Sequence, residues 1–129
     1  INQEESQRIR KILQEIKELH IPQGFFLHGD VHGVHIFSDG SDITGIIDPG
    51  YAMSGDPRLD VAYTHYFLTP QERIHFNEGY GDVANDPAVS KYFLLIAIDK
   101  IKYRHSQGFK YRIPHAVAAL KEVLDAGKP

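Results

Sequence analysis

The chain has 129 residues, of which 42% are hydrophobic, and this length and composition suit one domain with a modest core. Its formal net charge of −3 argues against nucleic acid as a partner, because nucleic-acid-binding domains usually carry a basic surface. The absence of cysteine excludes disulfides and thiolate metal sites and makes a reducing cytoplasm the expected compartment.

No membrane partner is expected either. The longest apolar run, FLLIAI at 93–98, is far shorter than the roughly 20 residues of a membrane-spanning helix.

The start of the chain has the apolar spacing of an amphipathic helix. Within EESQRIRKILQEIKELH (4–20), apolar residues recur every three or four positions, at Ile9, Ile12, Leu13, Ile16 and Leu19. The pattern predicts a helix that ends at the following IPQG. FFLH (25–28) is short, apolar and aromatic, which predicts a buried strand.

A hairpin is predicted next. VHIFS and ITGIID flank SDGSD, whose Asp-Gly pair is a turn signal, so a small sheet should lie in the first half of the chain.

Helices are predicted for most of the remainder. Asp56 and Pro57 read as an N-cap and the first helical position. The expected helices are LDVAYTHYFL (59–68, ended by Pro70), QERIHFNEGYG (71–81), a span from Pro87 to about His105, and 114–126, ended by Gly127. The third should place Val89, Phe93, Ile96 and Ala97 on one side of the helix. This order of elements predicts the α+β class, mostly α.

The segment HGDVHGVH (28–35) is a polar loop directly after the first predicted strand. Asp30 could accept a hydroxyl proton, and His35 could return to the same side if the loop curls at its glycines. Asp48 supplies a second carboxylate at the end of the hairpin. Two carboxylates and a neutral imidazole would suit a hard divalent cation.

Three motifs in order resemble the aminoglycoside phosphotransferase family, whose members are related to protein kinases. They are H-G-D-x-x-x-x-H (28–35), D-x-G (48–50) and GDPRLDVAY (55–63). The resemblance covers residues 20–66 well. It implies the C-terminal lobe of a protein-kinase-like phosphotransferase fold with a small β-hairpin sheet.

The resemblance also implies roles for individual residues. Asp30 would be the catalytic base and Asp48 a Mg²⁺ ligand that bridges the nucleotide phosphates. His28 would support the loop, and Asp60 would tie it down from a helix. His35 stands where the family usually has Asn, as in some macrolide phosphotransferases, so either it binds metal through a ring nitrogen or the second metal position is weakened.

The donor implied by the resemblance is ATP or GTP, and the acceptor is a small molecule with a hydroxyl group, of the aminoglycoside or macrolide type or a metabolite. Antibiotic resistance is the implied setting. Acidic residues on the later helices are candidates for binding acceptor amino groups. Asp82 and Asp86 are the first candidates, and Glu78 and Asp99 are secondary ones.

The sequence lacks the N-terminal lobe of these kinases, with its phosphate-covering loop and strand lysine. It also begins with Ile1. We therefore expect 1–129 to be a single domain, the C-terminal lobe of a longer enzyme, nearly inactive alone. Apolar surface left open by the missing lobe could drive self-association, which a monomer in sedimentation at high concentration would contradict.

Two other interpretations stay open. GDVHG (29–33) resembles the first metal-binding segment of calcineurin-like metallophosphatases, although the Asn-His pair that family needs occurs nowhere in the sequence. A non-catalytic pseudokinase-like module is the other, favoured by the His at position 35.

Several residues receive a structural interpretation. His32 is expected to be a turn residue, and the aromatic residues Tyr63, Tyr66 and Phe67 are expected to lie in the core. No role is predicted for His20, His65, His75, His105 or His115.

Overall fold

The computed structural model of the chain describes residues 1–21 and 23–126. Its elements follow one another as α1 (Gln3–Lys17), β1 (Phe25–Leu27), β2 (Ile36–Ser38), β3 (Ile43–Ile46), β4 (Met53–Gly55), α2 (Pro57–Phe67), α3 (Pro70–Tyr80), α4 (Ala88–Ser106) and α5 (Ile113–Asp125). Short 3₁₀ turns occupy Gly33–His35, Asp82–Asn85 and Lys110–Arg112. In this part of the chain no helix is both long enough and apolar enough to cross a membrane.

The chain forms two compact units. One consists of Ile21–Val89 and the other of Ile1–His20 together with the chain from Ser90 onward.

The unit Ile21–Val89 contains two small antiparallel sheets. Strands β2 and β3 form the predicted hairpin, with Ile36 opposite Ile46. Strand β1 pairs with β4, placing Leu27 opposite Met53. Strand β4 was not predicted, because the three residues MSG are too short to show an alternating pattern.

Strand β1 forms as predicted, but most of it is not buried. Leu27 is 1% exposed, whereas Phe25 and Phe26 are 49% and 78% exposed. Successive side chains of a strand point to opposite faces, so Phe26 lies on the face away from Leu27. Phe25 shares the face of Leu27 but stands at the outer end of the strand.

The helices of this unit begin at the predicted signals. The Asp56 carboxylate caps α2 by accepting from Arg58 N at 3.0 Å, and Pro57 occupies the first turn. Pro70, predicted to end a helix, lies in the first turn of α3, which Thr69 caps together with Glu72. The buried side chains of α2 include Val61, Ala62 and Tyr66.

The other unit contains α1, α5 and most of α4. The four residues predicted to share one side of α4 are all buried: Val89, Phe93, Ile96 and Ala97. Helix α1 ends at Lys17, before the predicted stop, because the Glu18 N–H bonds to the Glu15 carbonyl and the Leu19 N–H to the Ile16 carbonyl, each at 3.2 Å, in the tighter spacing of a 3₁₀ turn. Two residues of the predicted helix stops, Pro22 of IPQG and Gly127 after the last helix, lie outside the described residues.

Candidate active site

The backbone that leads into Asp30 is held by the carboxylate of Asp60, on the first turns of α2. One oxygen accepts from His28 N at 2.7 Å and the other from Gly29 N at 2.9 Å. Gly29 has φ +79°, and a Cβ there would stand 2.4 Å from the Tyr51 carbonyl oxygen. Only glycine therefore fits this position without strain, and the loop leaves β1 in one fixed direction.

The His28 ring connects this loop to the segment before Asp48. Its Nε2 lies 3.0 Å from the Ile47 carbonyl oxygen, and its Nδ1 accepts from Asp30 N at 3.3 Å. Because a carbonyl oxygen only accepts, the ring proton sits on Nε2. His28 thus ties the positions of Asp30 and Asp48 to each other.

The Asp30 carboxylate is partly sheltered and meets a tyrosine. The Tyr63 hydroxyl donates to Asp30 Oδ1. Of the three aromatic residues expected in the core, only Tyr66 is buried there; Tyr63 faces Asp30 and Phe67 is 40% exposed. One signal could have found Tyr63: it follows Asp60 by three helical positions, so both point to the same face of α2.

His35 stands between Asp30 and Asp48. The 3₁₀ turn turns its ring so that Nδ1 lies 2.8 Å from the Asp30 backbone oxygen. The proton on Nδ1 leaves a lone pair on Nε2, which lies 3.8 Å from Asp48 Oδ2. The sequence anticipated this return of His35, and the two ring nitrogens now face different carboxyl-bearing residues.

Asp48 has an unusual backbone. Its φ of +61° is the left-handed region, which non-glycine residues seldom adopt and which is often found at functional sites. Its side chain is 63% exposed, so its oxygens are open to a ligand.

The residues around Asp48 fit a divalent metal. An Asp48 carboxylate oxygen and the His35 Nε2 lone pair, 3.8 Å apart, would serve as two ligands of one divalent ion. The carboxylate is the donor that Mg²⁺ prefers, and the imidazole is an acceptable, weaker one.

His32 is more than a turn residue. Its ring packs on the ring of His35, with centroids 4.1 Å apart, and on Phe67 at 4.7 Å. Its Nε2 lies 3.7 Å from Asp30 Oδ1. The sequence did not predict this placement because Phe67 is distant along the chain.

The acidic residues suggested for acceptor binding lie on different elements. Asp86 faces Arg58 Nη1 at 3.3 Å and accepts from Ala88 N at 2.7 Å. Asp56 first, and then Asp86, raise the pKa of the Arg58 guanidinium. Asp82 is exposed in its 3₁₀ turn, Glu78 lies 3.4 Å from His75 Nδ1, and Asp99 belongs to the other unit.

A sequence model described as the phosphotransferase enzyme family, APH, matches residues 2–93. The chain belongs to this family. Among curated protein sequences no match is found.

Solved structures of aminoglycoside phosphotransferase APH(4)-Ia have a similar fold. One is 20% identical with a TM-score of 0.74, over 100% of this chain and 46% of that one. A thermostable mutant in ternary complex with ADP and hygromycin B is 20% identical with a TM-score of 0.80, over 98% and 45% of the two chains. A similar complex with AMP-PNP gives 21% identity and a TM-score of 0.76, over 98% and 46%.

These matches confirm the predicted fold class, an α+β and mostly helical part of the kinase-like phosphotransferase fold. The chain spans less than half the length of the solved structures it matches. The metallophosphatase segment would instead run on into a helix, whereas here a 3₁₀ turn leads into the β2–β3 hairpin.

Proposed function

We propose that this chain is the C-terminal, catalytic lobe of a small-molecule kinase that moves the γ-phosphoryl group of ATP or GTP to an acceptor hydroxyl. Membership of the phosphotransferase family supports this. The observation that carries it is the placement of His35 between Asp30 and Asp48, with one ring nitrogen facing each.

Asp30 is the proposed base. Its carboxylate takes the proton of the acceptor hydroxyl while that oxygen bonds to the γ-phosphorus, and the bond from the γ-phosphorus to the β–γ bridging oxygen breaks to release the nucleoside diphosphate. The Tyr63 hydroxyl holds one carboxylate oxygen, so the other is proposed to meet the acceptor.

Asp48 and His35 are the proposed metal ligands. A Mg²⁺ ion held by these two residues would neutralise charge on the nucleotide phosphates, which is the main chemical contribution a phosphotransferase needs from its site. Asp60 and His28 keep the two ligand segments in register, through the loop amides and the Ile47 carbonyl respectively.

The nucleotide-binding lobe is proposed to come from a longer chain, since the solved phosphotransferases are about twice as long as this one. The acceptor is proposed to be an aminoglycoside, a macrolide or a hydroxyl-bearing metabolite, and the setting a cytoplasmic, resistance-type activity. The APH(4)-Ia complexes with hygromycin B support the first of these. Asp82 and Asp86 remain proposals as contacts for acceptor amino groups.

The metal site can be tested on this chain by calorimetric titration with Mn²⁺, and then with Mg-ATP and Mg-GTP. We expect one Mn²⁺ ion to bind and the Asp48→Asn variant to bind it at least about tenfold more weakly. Asn is the suitable replacement, because it tolerates the left-handed backbone of Asp48 while removing the charge. Asp42→Asn, in the exposed β2–β3 turn, is the matched control and should bind as wild type.

Other outcomes would favour the other interpretations. Equal Mn²⁺ binding by wild type and Asp48→Asn would contradict the proposed metal site. Complete failure of the wild type to bind Mn²⁺ would favour a pseudokinase-like module, which the resemblance supports through His35 at the position where Asn is expected. Tight binding of two ions with hydrolysis of a phosphomonoester would favour a metallophosphatase.

A further inference from the structure

The loop that carries Asp30 gathers three side chains whose chemistry differs from that of the Asp48 site. Asp30, His32 and His35 each offer a ligand atom, and these atoms all lie within 4.8 Å of one another. His32 Nε2 is 3.7 Å from Asp30 Oδ1, and His35 Nδ1 is 3.6 Å from Asp30 Oδ2. The side chains are 14–20% exposed, so the cluster is sheltered but reachable from solvent.

The local backbone explains why these side chains converge. His32 is extended, with φ −154° and ψ 171°, and alternate residues of an extended segment point to the same side. The side chains of Asp30 and His32 lie on the same side, since His32 Nε2 is 3.7 Å from Asp30 Oδ1. The 3₁₀ turn then bonds His35 N to the His32 carbonyl at 2.9 Å and brings the His35 ring back onto His32.

The donor set matches a borderline transition metal better than Mg²⁺. Two imidazole nitrogens and one carboxylate oxygen are typical ligands of Zn²⁺, which binds them at about 2.0–2.1 Å. Tetrahedral ligands at that range lie about 3.4 Å apart. His32 Nε2 approaches Asp30 Oδ1 and His35 Nδ1 approaches Asp30 Oδ2, and the three ligand atoms lie within 4.8 Å of one another, so side-chain rotations have to draw them together by up to about 1.4 Å to hold one ion.

We propose that Asp30, His32 and His35 form a Zn²⁺ site that is separate from the Asp48 site and competes with it. To bind zinc, His35 Nδ1 releases the Asp30 carbonyl, and the ring proton moves to Nε2. A neutral imidazole has one lone pair, so His35 then cannot offer Nε2 to a metal at Asp48. The same ion also binds the Asp30 carboxylate, which then cannot accept the proton of the acceptor hydroxyl. Zinc is therefore an inhibitor of the proposed kinase.

The test uses the metal alone as probe, so it does not depend on the proposed phosphoryl transfer. Zinc chloride is titrated calorimetrically into this chain and into three single variants: His32→Gln, Asp48→Asn and His105→Gln. His105 is an exposed residue in the last turn of α4 and serves as the control.

The wild type should bind one Zn²⁺. His32→Gln should weaken zinc binding by roughly a hundredfold. Removing a group that only hydrogen-bonds to a metal ligand already lowers metal affinity by up to about that factor, and His32 is a proposed ligand itself. Asp48→Asn and His105→Gln should bind as the wild type does, and prior saturation with zinc should weaken a following Mn²⁺ titration of the wild type.

No zinc binding by the wild type would overturn the proposal. So would binding that is lost in Asp48→Asn and kept in His32→Gln, since the ion would then sit between His35 and Asp48. If His32→Gln does not fold, the visible absorption spectrum of the wild type with Co²⁺ in place of zinc tests the proposal instead. Intense visible absorption indicates the tetrahedral site, and weak octahedral bands contradict it.

Discussion

The two histidines that frame the site carry their protons on opposite nitrogens. His28 donates from Nε2 to the Ile47 carbonyl, and His35 donates from Nδ1 to the Asp30 carbonyl. Each ring is left with one lone pair, which His28 uses for Asp30 N and His35 turns toward Asp48. An Asn side chain also offers one donor group and one acceptor oxygen, so His35 makes the kind of contacts that an Asn at this position would make.

Tyr63 is expected to position the proposed base. In an enzyme that joins this chain to a nucleotide-binding lobe, Tyr63→Phe should lower kcat by roughly 10–100-fold, the range expected for a lost hydrogen bond to a charged group. The KM for nucleotide should change little, because the hydroxyl contacts Asp30 and not Asp48. Steady-state kinetics measure both constants.

Tyr103→Phe, on the exposed surface of α4, is the control for this variant and should leave kcat unchanged. A Tyr63→Phe variant with wild-type kcat would show that Asp30 is held by other contacts.

At the scale of the elements, α1 and α5 are joined through Glu5. Its carboxylate accepts from Lys121 Nζ at 2.5 Å and from Asn2 N at 3.0 Å, so it both caps α1 and pairs with α5. The Lys121 ammonium, followed by the Asn2 amide, holds the pKa of Glu5 below its ordinary value of 4.5. A carboxyl group with a lowered folded-state pKa stabilises the fold above its unfolded pKa and loses this contribution as pH falls through the folded value.

We therefore expect Glu5→Gln to lower the Tm at neutral pH, and the difference from wild type to shrink as pH falls below about 4.5. Thermal unfolding followed by circular dichroism from pH 7 to pH 3 measures this difference. Glu4→Gln, in the same first turn but exposed, is the matched control. A difference between Glu5→Gln and wild type that does not depend on pH would exclude the charge as its cause.

The helices could be predicted because their signals are local. Asp56 with Pro57 marks the start of α2, and the spacing of Val89, Phe93 and Ile96 marks the buried face of α4. Strand β4 was not predicted, because its partner β1 is distant in sequence and its own three residues are too few to show an alternating apolar pattern.

The residues of the site that lie within the three sequence motifs could be predicted. HGDVHGVH and D-x-G identify the residues that meet around His35, and GDPRLD identifies the helix that holds the loop. Tyr63 and Phe67 could not be placed, because only the packing of α2 beside the loop decides that one donates to Asp30 and the other stacks on His32.

At the scale of the whole molecule, the chain matches less than half of each solved phosphotransferase of similar fold. It holds Asp30, His35 and Asp48 on one unit, Ile21–Val89, so this arrangement does not depend on how the two units are placed. The proposed phosphoryl transfer needs a nucleotide, which a separate lobe is proposed to bind, and one carboxylate, that of Asp30, which accepts the proton of the acceptor hydroxyl.

The most direct test of that claim is phosphoryl transfer from radiolabelled ATP and GTP by an enzyme containing this chain and a nucleotide-binding lobe, compared with its Asp30→Asn variant. The wild type should label a hydroxyl acceptor. Asp30→Asn should lose roughly 10²–10⁴-fold in kcat, the usual contribution of a general base, with nucleotide affinity nearly unchanged. Wild-type turnover by Asp30→Asn would contradict the assignment of Asp30 and with it the proposed site.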